Sequence, residues 1–153
     1  MRNKKKLRVE QLDQKLKNFG NARLIVVPEK GWVHSIRTTL NMTMEQLGAK
    51  IGMTKGAMQK IEERESKGQI TINKLKLVAE GLDMQLVYGF VPKNGTVDDM
   101  INAKARLLAE KIVLRTNQHM VLEDQGIYKN RIKDSIDELT FEIKREMHRS
   151  LWD

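Results

Sequence analysis

Residues Thr43–Glu62, TMEQLGAKIGMTKGAMQKIE, spell two short helices with a reversal between them. Thr43 is an N-cap residue, and Gln46 three positions later completes the capping-box pattern, in which each side chain satisfies a backbone N–H that the helix leaves free. Leu47 and Ile51 then recur at i, i+4 on one face. Gly52 ends the helix, because a residue without Cβ enters the left-handed conformation without strain. Thr54 caps a second helix, with Met58 and Ile61 as its buried side. Gly48 lies inside the first helix at a cost of about 1 kcal/mol relative to Ala. A residue that small lets the second helix cross closely over the first.

The few residues between the caps leave room only for a sharp turn, which is the helix-turn-helix arrangement whose second helix enters the major groove of DNA. The competing reading is a plain helical hairpin; paired caps, the turn glycine and the register of small and apolar residues speak against it. The residues that would meet DNA are Thr54, Lys55, Gly56, Ala57, Gln59 and Lys60, at the start and outer face of the second helix, with Thr43 at the start of the first. Lys55 can donate to guanine O6 and N7, Gln59 can pair with adenine N6 and N7, and the Ala57 methyl can touch a thymine methyl. Gly56 and Ala57 allow close approach. Lys60 can reach a base or a phosphate, and Thr43 and Thr54 can contact phosphate near helix N-termini. Each has a structural alternative: capping alone for the threonines, a solvated helix face for Gln59 and Lys60.

Charge placement points the same way. The chain has 153 residues and a formal net charge of +8. Residues 1–23 hold eight Lys/Arg against two acids, residues 30–80 nine against five, and residues 81–153 eleven against twelve. The positive field therefore sits in the N-terminal half, where it attracts polyanions and speeds encounter; the alternative is a basic charge serving solubility alone. With no cysteine there is no disulfide framework, zinc ribbon or thiol nucleophile. Apolar runs fall far short of the ~18 residues of a membrane span, and the charged N-terminus has no apolar signal core behind it. A cytoplasmic location without membrane contact is expected.

The remaining chain reads as mainly α. Residues 1–5 are expected as a mobile basic tip. Val9, Leu12, Leu16 and Phe19 give an amphipathic helix from Lys6 to Phe19, broken by Gly20-Asn21. Leu24 to Val27, LIVV, and Gln85 to Val91, QLVYGFV, each end at a proline and suggest a short β-ribbon, within a chain or between chains. Gly31 precedes a helix from Trp32 to about Asn41, with Trp32, Ile36 and Leu40 facing the core and Arg37 pointing away. A charged linker is expected from Glu62 to Gly68. Thr71 caps a helix with Ile72, Leu75, Val78, Ala79 and Leu82 inward.

After the Asn94-Gly95 turn, Thr96 caps a long helix to about Glu123, with Met100, Ala103, Leu107, Leu108, Leu114 and Val121 as an imperfect stripe. Asp98 and Asp99 suit the dipole of its first turn. A last helix, Lys129 to about Arg149, carries Ile132, Ile136, Leu139, Ile143, Met147 and Leu151. The predicted organisation is a basic N-terminal helix over 1–23, a helix-turn-helix domain with flanking short strands over 24–92, and a C-terminal helical pair over 93–153. That pair is expected to serve dimerisation or partner binding; the alternative is that it only folds back on its own domain. Two reading heads, one per half-site, would suit a homodimer.

The 43–62 stretch resembles the phage-repressor (Cro or XRE) class, Thr-x-x-x-Leu-Ala-x-x-x-Gly-x-x-x-x-x-Ile/Val-x-x-Ile/Leu-Glu. Thr43, Leu47, Gly52, Ile61 and Glu62 match it; Gly48 replaces the usual Ala, Met58 the branched residue, and Met44 a Gln that in many relatives touches the DNA backbone. Gly31-Trp32 with Ile36-Arg37, Leu40-x-Met42-Thr43, VYGFVP (87–92), HMVLEDQ (119–125) and LWD (151–153) extend the likeness over nearly the whole chain, to the family called mobile mystery protein A. The resemblance implies a repressor acting on operator DNA, encoded on mobile elements beside a Fic-domain protein, and in that setting an antitoxin. Fic inhibitory helices carry Ser/Thr-x-x-x-Glu, and no Ser or Thr here has a Glu four residues later, so inhibition by that device is not expected.

No catalytic constellation emerges. His34, His119 and His148 are far apart, and the i, i+4 pair His119 and Glu123 is two ligands without a third. There is no phosphate-binding glycine loop or nucleophile elbow, and the methionines suit core filling. Neither an enzyme, nor a metal, nor a cofactor is expected. Two readings stay open: a DNA-binding repressor, and an adaptor that holds a Fic-domain partner through its C-terminal helices.

Overall fold

The computed structural model describes residues 3–117 and 125–153, the first four residues of the second stretch by their backbone alone. The chain is mainly helical. Among the described residues the α-helices are, in order, α1 (Lys4–Leu16), α2 (Trp32–Thr39), α3 (Met44–Ile51), α4 (Lys55–Ser66), α5 (Ile72–Gly81), α6 (Val97–Thr116) and α7 (Gln125–Glu146). They belong to two compact units, residues 24–89 and residues 1–23 with 90–153. No described helix is long and apolar enough to cross a membrane.

In the 24–89 unit, α2 to α5 enclose a core of Val33, Leu47, Met58, Ile61, Val78 and Leu82. The caps take the roles read from the sequence. Thr43 Oγ1 accepts from Gln46 N and Gln46 Oε1 accepts from Thr43 N, Gly52 adopts φ 70°, and Thr54 Oγ1 accepts from Ala57 N. Gly48 meets a strict limit: a Cβ there would stand 2.4 Å from the Met53 carbonyl oxygen and 3.2 Å from Met58 Cγ. Gly81 of α5 likewise presses against Ile51 and Leu47 of α3.

Helix α2 turns a different face inward from the one expected. Val33 and Arg37 are buried and Ile36 packs behind them, whereas Trp32 and Leu40 are 41% and 51% exposed. An ion pair sets this rotation. The Arg37 guanidinium, expected to point away, donates through Nε and Nη2 to the Glu62 carboxylate and through Nη1 to the Met42 carbonyl at 2.9 Å. Glu62 lies on α4, which continues through the expected linker to Ser66. One turn further, Glu65 accepts from the backbone N–H groups of Trp32 (2.7 Å) and Val33 (2.9 Å), capping α2 from another helix. Gly31 makes room for that carboxylate, which a Cβ would meet at 2.8 Å.

Within the chain the expected β-ribbon is not formed. Neither 24–27 nor 85–91 is strand, and Ile25–Val27 and Gln85–Val91 make no backbone hydrogen bond among the described residues. A two-stranded ribbon is marginal unless a core lies beneath it. These runs lack one: Leu24, Val26 and Phe90 are each more than four-fifths exposed. Ile72 on α5, also expected inward, is exposed.

In the other unit, α1 packs on α6 and α7 around Val9, Ile101, Ala105 and Leu151. A second cluster, Ala109, Val113 and Ile136, continues between α6 and α7. The buried stripe of α6 is thus Ile101, Ala105, Ala109 and Val113, spaced by four, and not the larger residues: Met100, Leu107 and Leu114 are exposed. Side chains as small as alanine let a neighbouring helix pack close, which offsets the larger apolar area of a leucine face. Asn3 caps α1, so Lys4 and Lys5 are helical rather than part of a loose tip, and a 3₁₀ run from Lys17 to Leu24 carries the chain through Gly20-Asn21. Leu12, expected on the buried stripe of this helix, is exposed. Asp13 reaches from α1 to accept from Val97 N (2.8 Å) and Asp98 N (3.2 Å), capping α6 beside the Thr96–Asp99 capping box. Helix α7 stops at Glu146, short of the expected Arg149; Met147 at φ 47° turns the chain, and Leu151 returns to the core from a 3₁₀ turn. His119, Val121, Glu123 and most of HMVLEDQ lie outside the described residues, as do residues 1–2 of the expected tip.

Candidate nucleic-acid interface

Helix α4 has two opposed sides. Met58, Ile61 and Glu62 are buried. Lys55, Gly56, Gln59 and Lys60, spaced i, i+1, i+4, i+5, are exposed together, with Ala57 half-buried at the edge. The helical period sets this division: Met58, Ile61 and Glu62 stand at i, i+3 and i+4 on the inward side, and Lys55–Gln59 and Gly56–Lys60 are i, i+4 pairs on the outward one. Thr43 and Thr54 are also exposed, each at a helix N-terminus with its hydroxyl engaged in capping. Both helix starts therefore open to solvent on residues with small or flexible side chains.

Of the seven residues singled out from the sequence, Gln59 and Lys60 have side chains that make no hydrogen bond or ion pair among the described residues. A Cβ on Gly56 would meet nothing within 4 Å, so the small residue there is not demanded by the fold. Lys55 is engaged. Its ammonium lies 3.0 Å from Glu45 Oε1 on α3, with both side chains more than half exposed. The Lys55 hydrogen bond is the largest of the effects that hold the Glu45 carboxyl below its usual range. Glu45 was not singled out from the sequence. Its only signal was its place two residues after the Thr43 cap, where an acid reads as ordinary helix-dipole chemistry.

The inward side of α4 fixes how the outward side is presented. Burial pushes the Glu62 carboxyl up, but hydrogen bonds from Arg37 and His34 outweigh burial and the group is lowered overall. The Arg37 pKa is raised, chiefly by the Glu62 hydrogen bond. His34 Nδ1 lies 3.1 Å from Glu62 Oε2, so both carboxylate oxygens have partners. No group of three metal-ligating side chains occurs among the described residues. Comparison with protein-family models, with curated proteins and with solved structures gave no match for this chain.

Proposed function

We propose that the chain is a sequence-specific DNA-binding transcriptional regulator, with α3 and α4 as its helix-turn-helix and α4 as the reading helix. One observation carries the proposal: the outer side of α4 gathers Lys55, Gly56, Gln59 and Lys60 in the open, while its inner side is locked into the core. In this reading the start of α4 enters the major groove. Lys55 donates to a guanine, Gln59 pairs with an adenine and Ala57 lies against a thymine methyl. Gly56 lets the backbone come close, Lys60 serves base or phosphate, and Thr43 and Thr54 hold phosphates. Two copies would present two such helices about one DNA turn apart. The resemblance to mobile mystery protein A suggests that the regulated operon is its own, shared with a Fic-domain protein.

The test is fluorescence anisotropy with the DNA upstream of the chain's own gene against a scrambled duplex, at about 150 mM salt. Tight binding to the first duplex alone, weakened by Lys55→Ala, is expected. Equal weak binding to both would end the reading. Lys55→Ala should also lower the slope of log affinity against log salt if the contact is to phosphate, and relax specificity at one base pair if it is to guanine.

A second reading, an adaptor for the Fic-domain protein, is favoured by Met100, Leu107 and Leu114. These stand seven apart on α6 and are 40%, 62% and 53% exposed, the spacing of a seam for a partner helix. It predicts a hetero-complex that survives Lys55→Ala and is lost with Leu107→Lys.

A further inference from the structure

The unit of residues 24–89 begins and ends with an uncovered apolar run. Leu24, Ile25, Val26 and Val27 are 83%, 58%, 85% and 64% exposed, and Val87 and Tyr88 near the other end are 65% and 59% exposed. Tyr88 carries Lys76 Nζ over its ring at 5.9 Å. Single exposed apolar residues are ordinary, but four in succession are not. All six are strand formers or Leu. Their backbone is also unspent: Ile25–Val27 and Gln85–Gly89 form no backbone hydrogen bond among the described residues. Such a segment is half of a β-ladder.

We infer that these two runs form the seam on which a second copy of this chain docks, Leu24–Val27 of one copy pairing with Gln85–Gly89 of the other, and reciprocally. Three observations select a second copy as the occupant. The chain itself supplies two edges of the same kind, so a two-fold axis pairs each with its counterpart and leaves neither open. Neither run contains a charged residue, although the chain carries +8. Two copies of so basic a chain repel, and meet best where they are neutral. The area also suffices: standard interfaces take about 800 Å² from each partner, and six side chains of this size and exposure are of that order. Pro28, which has no N–H, stops the first ladder where it should stop. The seam stands whether or not the chain reads DNA, and it differs from the C-terminal helices, to which the sequence pattern alone assigned dimerisation.

The test is sedimentation velocity on the full chain without DNA, over micromolar to high-micromolar concentrations. Wild type, Val26→Lys, Val87→Lys and, as a reference on α6, Leu107→Lys are compared. The wild type and Leu107→Lys should be dimers. Val26→Lys and Val87→Lys should weaken the dimer at least about ten-fold, since each puts an unpaired charge into an apolar seam, with helicity by circular dichroism unchanged. A monomeric wild type, persistent dimers in both lysine variants, or dissociation by Leu107→Lys alone would overturn the inference. The cysteine-free chain permits a second readout that does not depend on weakening anything. Val26→Cys with Val87→Cys should give a covalent dimer on oxidation; a link within one chain, or none, would overturn the pairing.

Discussion

Glu62 ties three stretches of chain together at a single carboxylate. It receives Arg37 and His34 from α2, and Arg37 in turn holds the Met42 carbonyl just ahead of α3. Removing one partner strands a buried charge, so Glu62→Ala should cost about 3–5 kcal/mol, whereas Arg37→Met with Glu62→Leu should recover most of that loss. Urea midpoints decide this. The pair also sets a pH dependence. The folded carboxyl titrates below its unfolded value of about 4.3. Its stabilisation is complete above that value and disappears as pH falls through the lowered one. The wild-type midpoint should therefore fall in that acid range more steeply than that of the Arg37→Met, Glu62→Leu chain. Glu45 presents the opposite case. It is an exposed anion held against Lys55, on the side where the proposed reading needs cations. Glu45→Gln should leave stability within about 0.5 kcal/mol and tighten cognate DNA binding by roughly three-fold at moderate salt, measured by anisotropy. Unchanged or weaker binding would count against that side meeting DNA. The Glu62 network was hidden in the sequence because its partners are 25 and 28 residues away, and a lone arginine in an amphipathic pattern reads as surface.

Elements tell a clearer story where their signals are local. Thr43, Gln46, Gly52 and Thr54 act within four residues of themselves, so the ends of α3 and the start of α4 were legible. The face of α6 was not, because Ala105 and Ala109 offer less apolar area than Leu107 or Met100 yet are the residues buried. The two apolar runs read as strands by composition but lack the layer that would make them so. The turn from α3 into α4 depends on Gly48, which the sequence marked as the small residue that permits a close crossing, without showing that the Met53 carbonyl sets the limit. Because the Met53 carbonyl leaves no space for a Cβ, Gly48→Ala should destabilise the chain by about 1–3 kcal/mol despite the better helix propensity of Ala. Thermal denaturation would read this directly, and a more stable variant would mean that the turn after α3 yields readily.

At the scale of the molecule, the apolar clusters of the two units share no residue. Native-state hydrogen exchange should report them separately. Gly48→Ala should speed exchange of amides in α3, α4 and α5 while leaving those around Ala105 and Ala109 of α6 near their wild-type rates. Equal acceleration in both would show one cooperative unit. The basic field, legible from composition alone, lies on residues of both units, since 1–23 joins 90–153. Charge alone points no further than a polyanion for the proposed partner; the direction in which the proposed reading side faces depends on which side of α4 the core claims. That side is claimed firmly: Met58 is buried in the core, and Glu62 and Glu65 fasten the later turns of α4 to α2. A helix held this way reaches its ligand already ordered, with little conformational entropy left to surrender. Calorimetry of the proposed DNA complex should then give a heat-capacity change no larger than the surface the two molecules hide from water, without the excess that accompanies folding on contact.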